Sequence, residues 1–157
     1  LDAELPGDMV VRLAVAKAVA AAVDAADLVL GADTAVVIDG EALGKPVDEA
    51  DCLRMLELLS GRAHKVVTGV ALCGENKNCT ALSETDVYFR EISRDEALAY
   101  WQSGEPCDKA GAYAIQGLGG VFVERIEGSY SNVVGLPVFE TVALLNDAGF
   151  QILPRHE

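Results

Sequence analysis

The chain has 157 residues, 51% hydrophobic and 24% charged, with a formal net charge of −13. That length is enough for one domain over residues 1–157 with a real core, and the composition excludes a disordered chain. The acidic excess argues against duplex nucleic acid or an anionic membrane as partner, since both need a basic face, but leaves open a small anionic ligand accompanied by a divalent cation.

The start, Leu1-Asp-Ala-Glu4, is acidic where a signal peptide needs a basic region. It also lacks Met, so the natural N-terminus is expected to precede Leu1. Pro6 precedes a helix over 9–23, in which Val11, Ala14, Val15, Ala18, Val19 and Ala22 recur at helical spacing. Its cations are Arg12 and Lys17. Lys17 reads either as a solvated residue or as a group aimed at a bound phosphate. The longest apolar stretch, 14–30, is interrupted by Lys17, Asp24 and Asp27, so no membrane span is expected.

A strand and hairpin follow over 28–43. Leu28-Val-Leu30 runs into Gly31-Ala-Asp33, Val36-Val-Ile38 resumes the strand, and Asp39-Gly40 signals a two-residue turn. The return limb delivers Gly44-Lys-Pro46. Hairpin geometry predicts that Lys45 folds back towards Asp33, since paired strands lie about 5 Å apart. A carboxylate and an ammonium so placed suit holding a phosphate chain and activating water beside it. The same pair also reads as a salt bridge at a hairpin mouth, which contributes little.

Asp48 is an N-cap candidate for a helix over 50–59, with Leu53, Leu56 and Leu59 forming its stripe and Ser60-Gly61 its stop. Strands are predicted over 62–72 and 80–92, paired as a hairpin through a turn at 74–78. Ser93 and Glu96 form a capping box for a helix over 95–102. A Gly-rich stretch, Asp108 to Gly120, carries Lys109 and Gln116 among small residues. It has neither the G-x-G-x-x-G spacing nor a Gly-Lys-Ser/Thr opening a helix, so it reads as a tight turn. The Gln116 amide is either structural or a reader of a base edge, offering donor and acceptor together. A strand over 121–126, a polar loop over 127–132 and a last helix over 136–148 complete the chain, with 132–135 a candidate anion seat. Ser129 and Ser131 lack a His partner for a triad. Cys52, Cys73, Cys79 and Cys107 contain no C-x-x-C pair, and His64 and His156 cannot complete a zinc set, so reduced thiols in a cytoplasmic protein are expected. The order predicts an α/β fold with a mixed, partly antiparallel sheet flanked by helices.

In order along nearly the whole chain, these segments resemble the Maf family of nucleotide pyrophosphatases. The matching pieces are Arg12-Leu-Ala with Lys17-Ala, Gly31-Ala-Asp-Thr34, Gly44-Lys-Pro46, Met55-Leu with Leu59-Ser-Gly61, His64 with Val66 and Thr68, Asp108-Lys-Ala-Gly-Ala-Tyr-Ala-Ile-Gln-Gly117, Phe122-Val, Ile126 with Gly128-Ser-Tyr130, and Val133-Val-Gly-Leu-Pro137. The resemblance implies hydrolysis of a nucleoside triphosphate to the monophosphate and pyrophosphate, aided by a divalent cation such as Mg or Mn. It implies two lobes with the site in the cleft between them. Asp33 matches the catalytic base, Thr34 and Gln116 match positions linked to substrate choice, and Lys17 and Lys45 match phosphate-facing lysines. Lys109 falls in the same motif as Gln116 and is taken as substrate-binding. Asp-Thr after Gly-Ala, and Ile-Gln-Gly after Ala-Tyr-Ala, resemble the branch acting on dTTP and UTP. The partner implied is a small nucleotide, with room for a homodimer. The family's Ser-x-Ser-Pro-Arg-Arg phosphate loop has no match here, and a family acidic metal residue is expected to fall before Leu1. A non-catalytic nucleotide-binding or division-regulating protein on the same scaffold is therefore the alternative.

Overall fold

The computed structural model describes residues 4–24, 28–74 and 77–153. Helix α1 (Pro6–Ala21) leads into strand β1 (Val29–Ile38), the short strand β2 (Glu41–Leu43) and helix α2 (Glu49–Leu59). Strands β3 (Ala63–Gly74) and β4 (Lys77–Phe89) follow, then helix α3 (Arg94–Gln102). Three short 3-10 turns (Glu105–Asp108, Ala110–Ala112 and Leu118–Phe122) precede strand β5 (Val123–Glu127) and helices α4 (Tyr130–Val134) and α5 (Val138–Asp147). The sheet order is β2-β1-β3-β4-β5, and every pairing among the described residues is antiparallel. The predicted turn at 74–78 falls partly on residues 75–76, outside the described residues, while 77 and 78 already belong to β4. His156 lies outside them as well.

Local chemistry accounts for the element ends. Asp39 and Gly40 both take positive φ, 53° and 84°, as a two-residue hairpin turn requires. Asp48 caps α2 by accepting from the Asp51 amide at 2.8 Å. At α3 the Ser93 hydroxyl accepts from the Glu96 amide while the Glu96 carboxylate accepts from the Ser93 amide. The last helix begins at Val138 and not at 136, because Pro137 is its N-cap; part of the predicted polar loop folds instead as α4, capped by Ser129.

Strand β3 is central and buried on both faces over 66–73. One face is covered by α1, whose Val10, Ala14 and Ala18 recur every four residues and are fully buried. The helix comes close because Gly31 and Gly69 present no side chain beneath it; a Cβ at Gly31 would lie 2.2 Å from the Ala14 carbonyl, and one at Gly69 2.6 Å from the Val10 backbone. The other face carries two packed bodies. At one end α2, α3 and the 3-10 turns close over Val36, Ile38, Val66, Val87 and Phe89. At the other end α5 contributes Leu144 against Val70 and Leu72. Between them lies a polar row of Thr34, Thr68 and Thr85 under Asn132, which is fully buried.

Candidate active site

Asp33 faces α1, since it alternates with Ala35 and sits in register with Gly69. Its partner is Lys17, whose Nζ donates to Asp33 Oδ1 at 2.6 Å and to the Ala32 carbonyl at 3.1 Å. The pair is asymmetric in exposure: the Asp33 side chain is 16% accessible and that of Lys17 58%. Lys17 reaches this position because Ala14 and Ala18, on either side of it, are the residues that seat α1 on the Gly31 backbone. Among the described residues Asp33 Oδ2 has no hydrogen-bond partner, so one carboxylate oxygen is held and the other is free.

Lys45 does not meet Asp33. The β1–β2 register, Val36 with Leu43, would put Lys45 level with Thr34 if the ladder ran two residues further, but β2 ends at Leu43. Register alone keeps the two apart, because a residue level with Thr34 shares the face of Thr34, opposite Asp33. Beyond the ladder the Gly44 carbonyl accepts from the Gly111 amide at 3.0 Å, tying the chain to the 105–112 turns. Lys45 therefore stands near Asp108. The Lys109 ammonium, 2.5 Å from Asp108 Oδ1, holds that carboxyl below the usual carboxylate range, and Lys45 adds to the effect. The predicted lysines thus divide, Lys17 on Asp33 and Lys45 with Lys109 on Asp108.

Gln116 is exposed at the tip of the turn over 114–119, and its side chain makes no hydrogen bond among the described residues. The glycines beside it serve an internal carboxylate. Glu105 Oε2 accepts from the Leu118 amide at 2.8 Å and Oε1 from the Gly119 amide at 2.9 Å. Burial raises the Glu105 pKa, but hydrogen bonds from Tyr100, Gly119 and Leu118 outweigh it and leave the carboxyl below its ordinary value. Sequence reading missed Glu105, because a lone Glu between Gly104 and Pro106 carries no pattern. Thr34 lies on the opposite face from Asp33 and shares a 2.9 Å hydrogen bond with Thr68. Thr68 in turn donates to the Asn132 carbonyl, and Asn132 Nδ2 donates to the Val66 carbonyl and to Thr85. The candidate anion seat at 132–135 is accordingly a packing hub: Asn132 is interior and Gly135 is the C-cap of α4.

Among the described residues no group of three or more His, Cys, Asp or Glu side chains could hold a metal ion. Asp33 is a single carboxylate with one oxygen engaged by Lys17, so these residues do not fit a closed cage for the expected Mg or Mn, and no ligand is assigned to it. No helix among them is long and apolar enough to cross a membrane.

Fold and site together describe an α/β protein that offers the Lys17-paired carboxylate of Asp33, Lys45 and Lys109 beside Asp108, and the unbonded amide of Gln116, a set suited to an anionic, hydrogen-bonding ligand. The family model described as Maf-like protein matches residues 2–148, and the chain belongs to that family. It is 55% identical over 148 residues to a dTTP/UTP pyrophosphatase of Saccharophagus degradans, covering 91% of this chain and 70% of that protein. It is 55% identical over 150 residues to one of Shewanella oneidensis, covering 93% and 77%. A third, from Hahella chejuensis, is 56% identical over 155 residues, covering 95% and 76%.

Proposed function

We propose that the chain hydrolyses dTTP and UTP to the nucleoside monophosphate and pyrophosphate. The observation that carries this reading is Asp33: a half-buried carboxylate with Oδ1 fixed by Lys17 and Oδ2 free, in a chain 55–56% identical to proteins named dTTP/UTP pyrophosphatase. In this reading Oδ2 takes the proton of a water as that water attacks, and the α–β anhydride bond breaks with pyrophosphate leaving. Charge developing on the phosphates is met by Lys17, Lys45 and Lys109. Lys17 serves twice, orienting the base and offering its one remaining donor to the substrate.

Thr34 and Gln116 select the base. A uracil or thymine edge presents carbonyl, N–H and carbonyl, and a glutamine amide pairs with two adjacent groups of it. Cytosine replaces one carbonyl by an amino donor. A pocket built for uracil then leaves a buried group unpaired, at a cost of roughly 1–3 kcal/mol, about tenfold to a hundredfold in discrimination.

The test is a product assay over UTP, dTTP, CTP, ATP and GTP at equal magnesium. Pyrophosphate and monophosphate should form fastest from UTP and dTTP. Purines hydrolysed as fast as UTP would contradict the pocket, and binding without pyrophosphate release would favour the non-catalytic alternative.

A further inference from the structure

The stretch Gly117-Leu-Gly-Gly120 looks like a loop shaped to receive a phosphate, but its amides are already taken. The Leu118 and Gly119 N–H groups both donate to the Glu105 carboxylate. Tyr100 completes the arrangement: its hydroxyl donates to Glu105 Oε1 at 2.6 Å and accepts from the Ala114 amide at 3.1 Å. The turn is therefore pinned on both sides of Gln116, at Ala114 before it and at Leu118 and Gly119 after it. The glycines follow from this pinning. A Cβ at Gly117 would lie 2.2 Å from Glu105 Oε2, and one at Gly119 would lie 2.6 Å from the Tyr100 hydroxyl. Both partners are anchored away from the turn. Tyr100 is buried in α3 and packs edge-on against Phe122, and Glu105 opens the first 3-10 turn beside the buried Pro106.

We propose that Glu105, backed by Tyr100, is a positioning residue for Gln116: its carboxylate clamps the 114–119 turn and so sets the pyrimidine selectivity of the enzyme. This rests on the reading that Gln116 chooses the base. Glu105 acts through the backbone: its carboxylate is bonded to Tyr100, Leu118 and Gly119, and it restrains the turn from which an otherwise unbonded amide projects. Hydrogen bonds to a base edge hold only near about 3 Å between donor and acceptor, so a turn free to move loses the discrimination before it loses hydrolysis.

The experiment compares kcat/KM for UTP and CTP in wild type, Glu105→Gln, Glu105→Asp, Tyr100→Phe, Gln116→Ala and the Glu105→Gln/Gln116→Ala double variant, with folding checked by circular dichroism. In Glu105→Gln an NH2 group replaces one acceptor oxygen and faces a backbone N–H, so at least one clamp bond is lost. The UTP-to-CTP ratio should fall about tenfold, through a raised KM for UTP, with CTP turnover little changed. Glu105→Asp should recover part of the ratio, and the double variant should be no less selective than Gln116→Ala alone, as expected when one residue acts through the other. Tyr100→Phe, which keeps both amide bonds, should give a smaller loss in the same direction and keeps the proposal testable if Glu105→Gln does not fold. A selective wild type whose ratio survives both Glu105→Gln and Tyr100→Phe overturns the clamp alone. A wild type with no preference for UTP, or a Gln116→Ala variant as selective as wild type, overturns the reading of Gln116 beneath it.

Discussion

Replacing Gly31 by alanine tests the contact that brings α1 to the site. The added methyl would sit 2.2 Å from the Ala14 carbonyl oxygen, 2.9 Å from the Ala18 nitrogen and 3.0 Å from the Ala18 Cβ. Carbon–oxygen contacts settle near 3.3 Å, so the helix must retreat by about 1 Å. The clashing atoms are backbone in a helix, so no side-chain rotation relieves them. Overpacking of this kind costs roughly 1–3 kcal/mol. Stiffening the unfolded chain by a Gly→Ala change returns only about 0.4–1 kcal/mol, so destabilisation wins. For a domain near 150 residues each kcal/mol moves Tm by about 2–4 °C, which puts the expected drop at up to about 10 °C. Lys17 precedes Ala18 and moves with it, lengthening the 2.6 Å contact to Asp33 beyond a strong hydrogen bond. Turnover of UTP should therefore fall by about tenfold or more even well below the new Tm. Differential scanning calorimetry and a pyrophosphate-release assay read the two effects. Gly44→Ala is the control, because a Cβ there meets nothing within 4 Å. A Gly31→Ala protein that melts at or above the wild-type temperature would refute the reasoning.

Other substitutions address the chemistry and the core. Asp33→Asn should keep the fold and lower UTP turnover by about 10² or more, as removal of a general base does; near-normal turnover would remove Asp33 from that role. Lys45→Ala should lower turnover more than Lys45→Arg, since charge near the phosphates is what is lost; alanine and wild type of equal activity would leave Lys45 a surface residue beside Asp108. His64 is 3% exposed, and burial pushes its pKa from 6.5 down to about 4. Its proton binds more readily to the unfolded chain, so its share of stability is complete above pH 6.5 and is lost as pH falls from 6.5 towards 4, by about 1.4 kcal/mol per unit. Urea denaturation between pH 4.5 and 7 should show a shallower pH slope for His64→Gln than for wild type, and parallel curves would count against this account.

Elements with strong local chemistry are legible in the sequence. The Asp39-Gly40 turn, the Asp48 cap and the Ser93–Glu96 box all form where their residues demanded them. Helix α1 was legible from its apolar spacing, although it begins at Pro6, because proline is tolerated in a first turn. What escaped was set by contacts distant in sequence. The β1–β2 register sets Lys45 level with Thr34 and so off the face of Asp33, and the Gly44–Gly111 bond that follows is signalled by nothing near either glycine. Spacing alone favours a solvated side chain for Lys17, since its tie to Asp33 depends on α1 crossing β1 at Gly31. Asn132 stood in a run of polar residues and looked like loop, yet its amide bridges β3 and β4.

Consecutive residues on a strand project to opposite sides, and on β1 that alternation separates Asp33, in register with Gly69, from Thr34, in register with Thr68. Adjacent codons thus address locations a full sheet thickness apart. Strand β2 covers β1 only at Val36–Ile38, so among the described residues the margin of β1 beside Asp33 and Thr34 has no neighbouring strand on that side. A single molecule that touches both residues has to fold over that margin, with one end on the α1 side and the other beneath α4. If Thr34 chooses the base and Asp33 drives hydrolysis, as proposed, preference and reactivity become separately adjustable traits: Thr34 lies against Gly135 and Thr68, on the far side of the strand from the carboxylate.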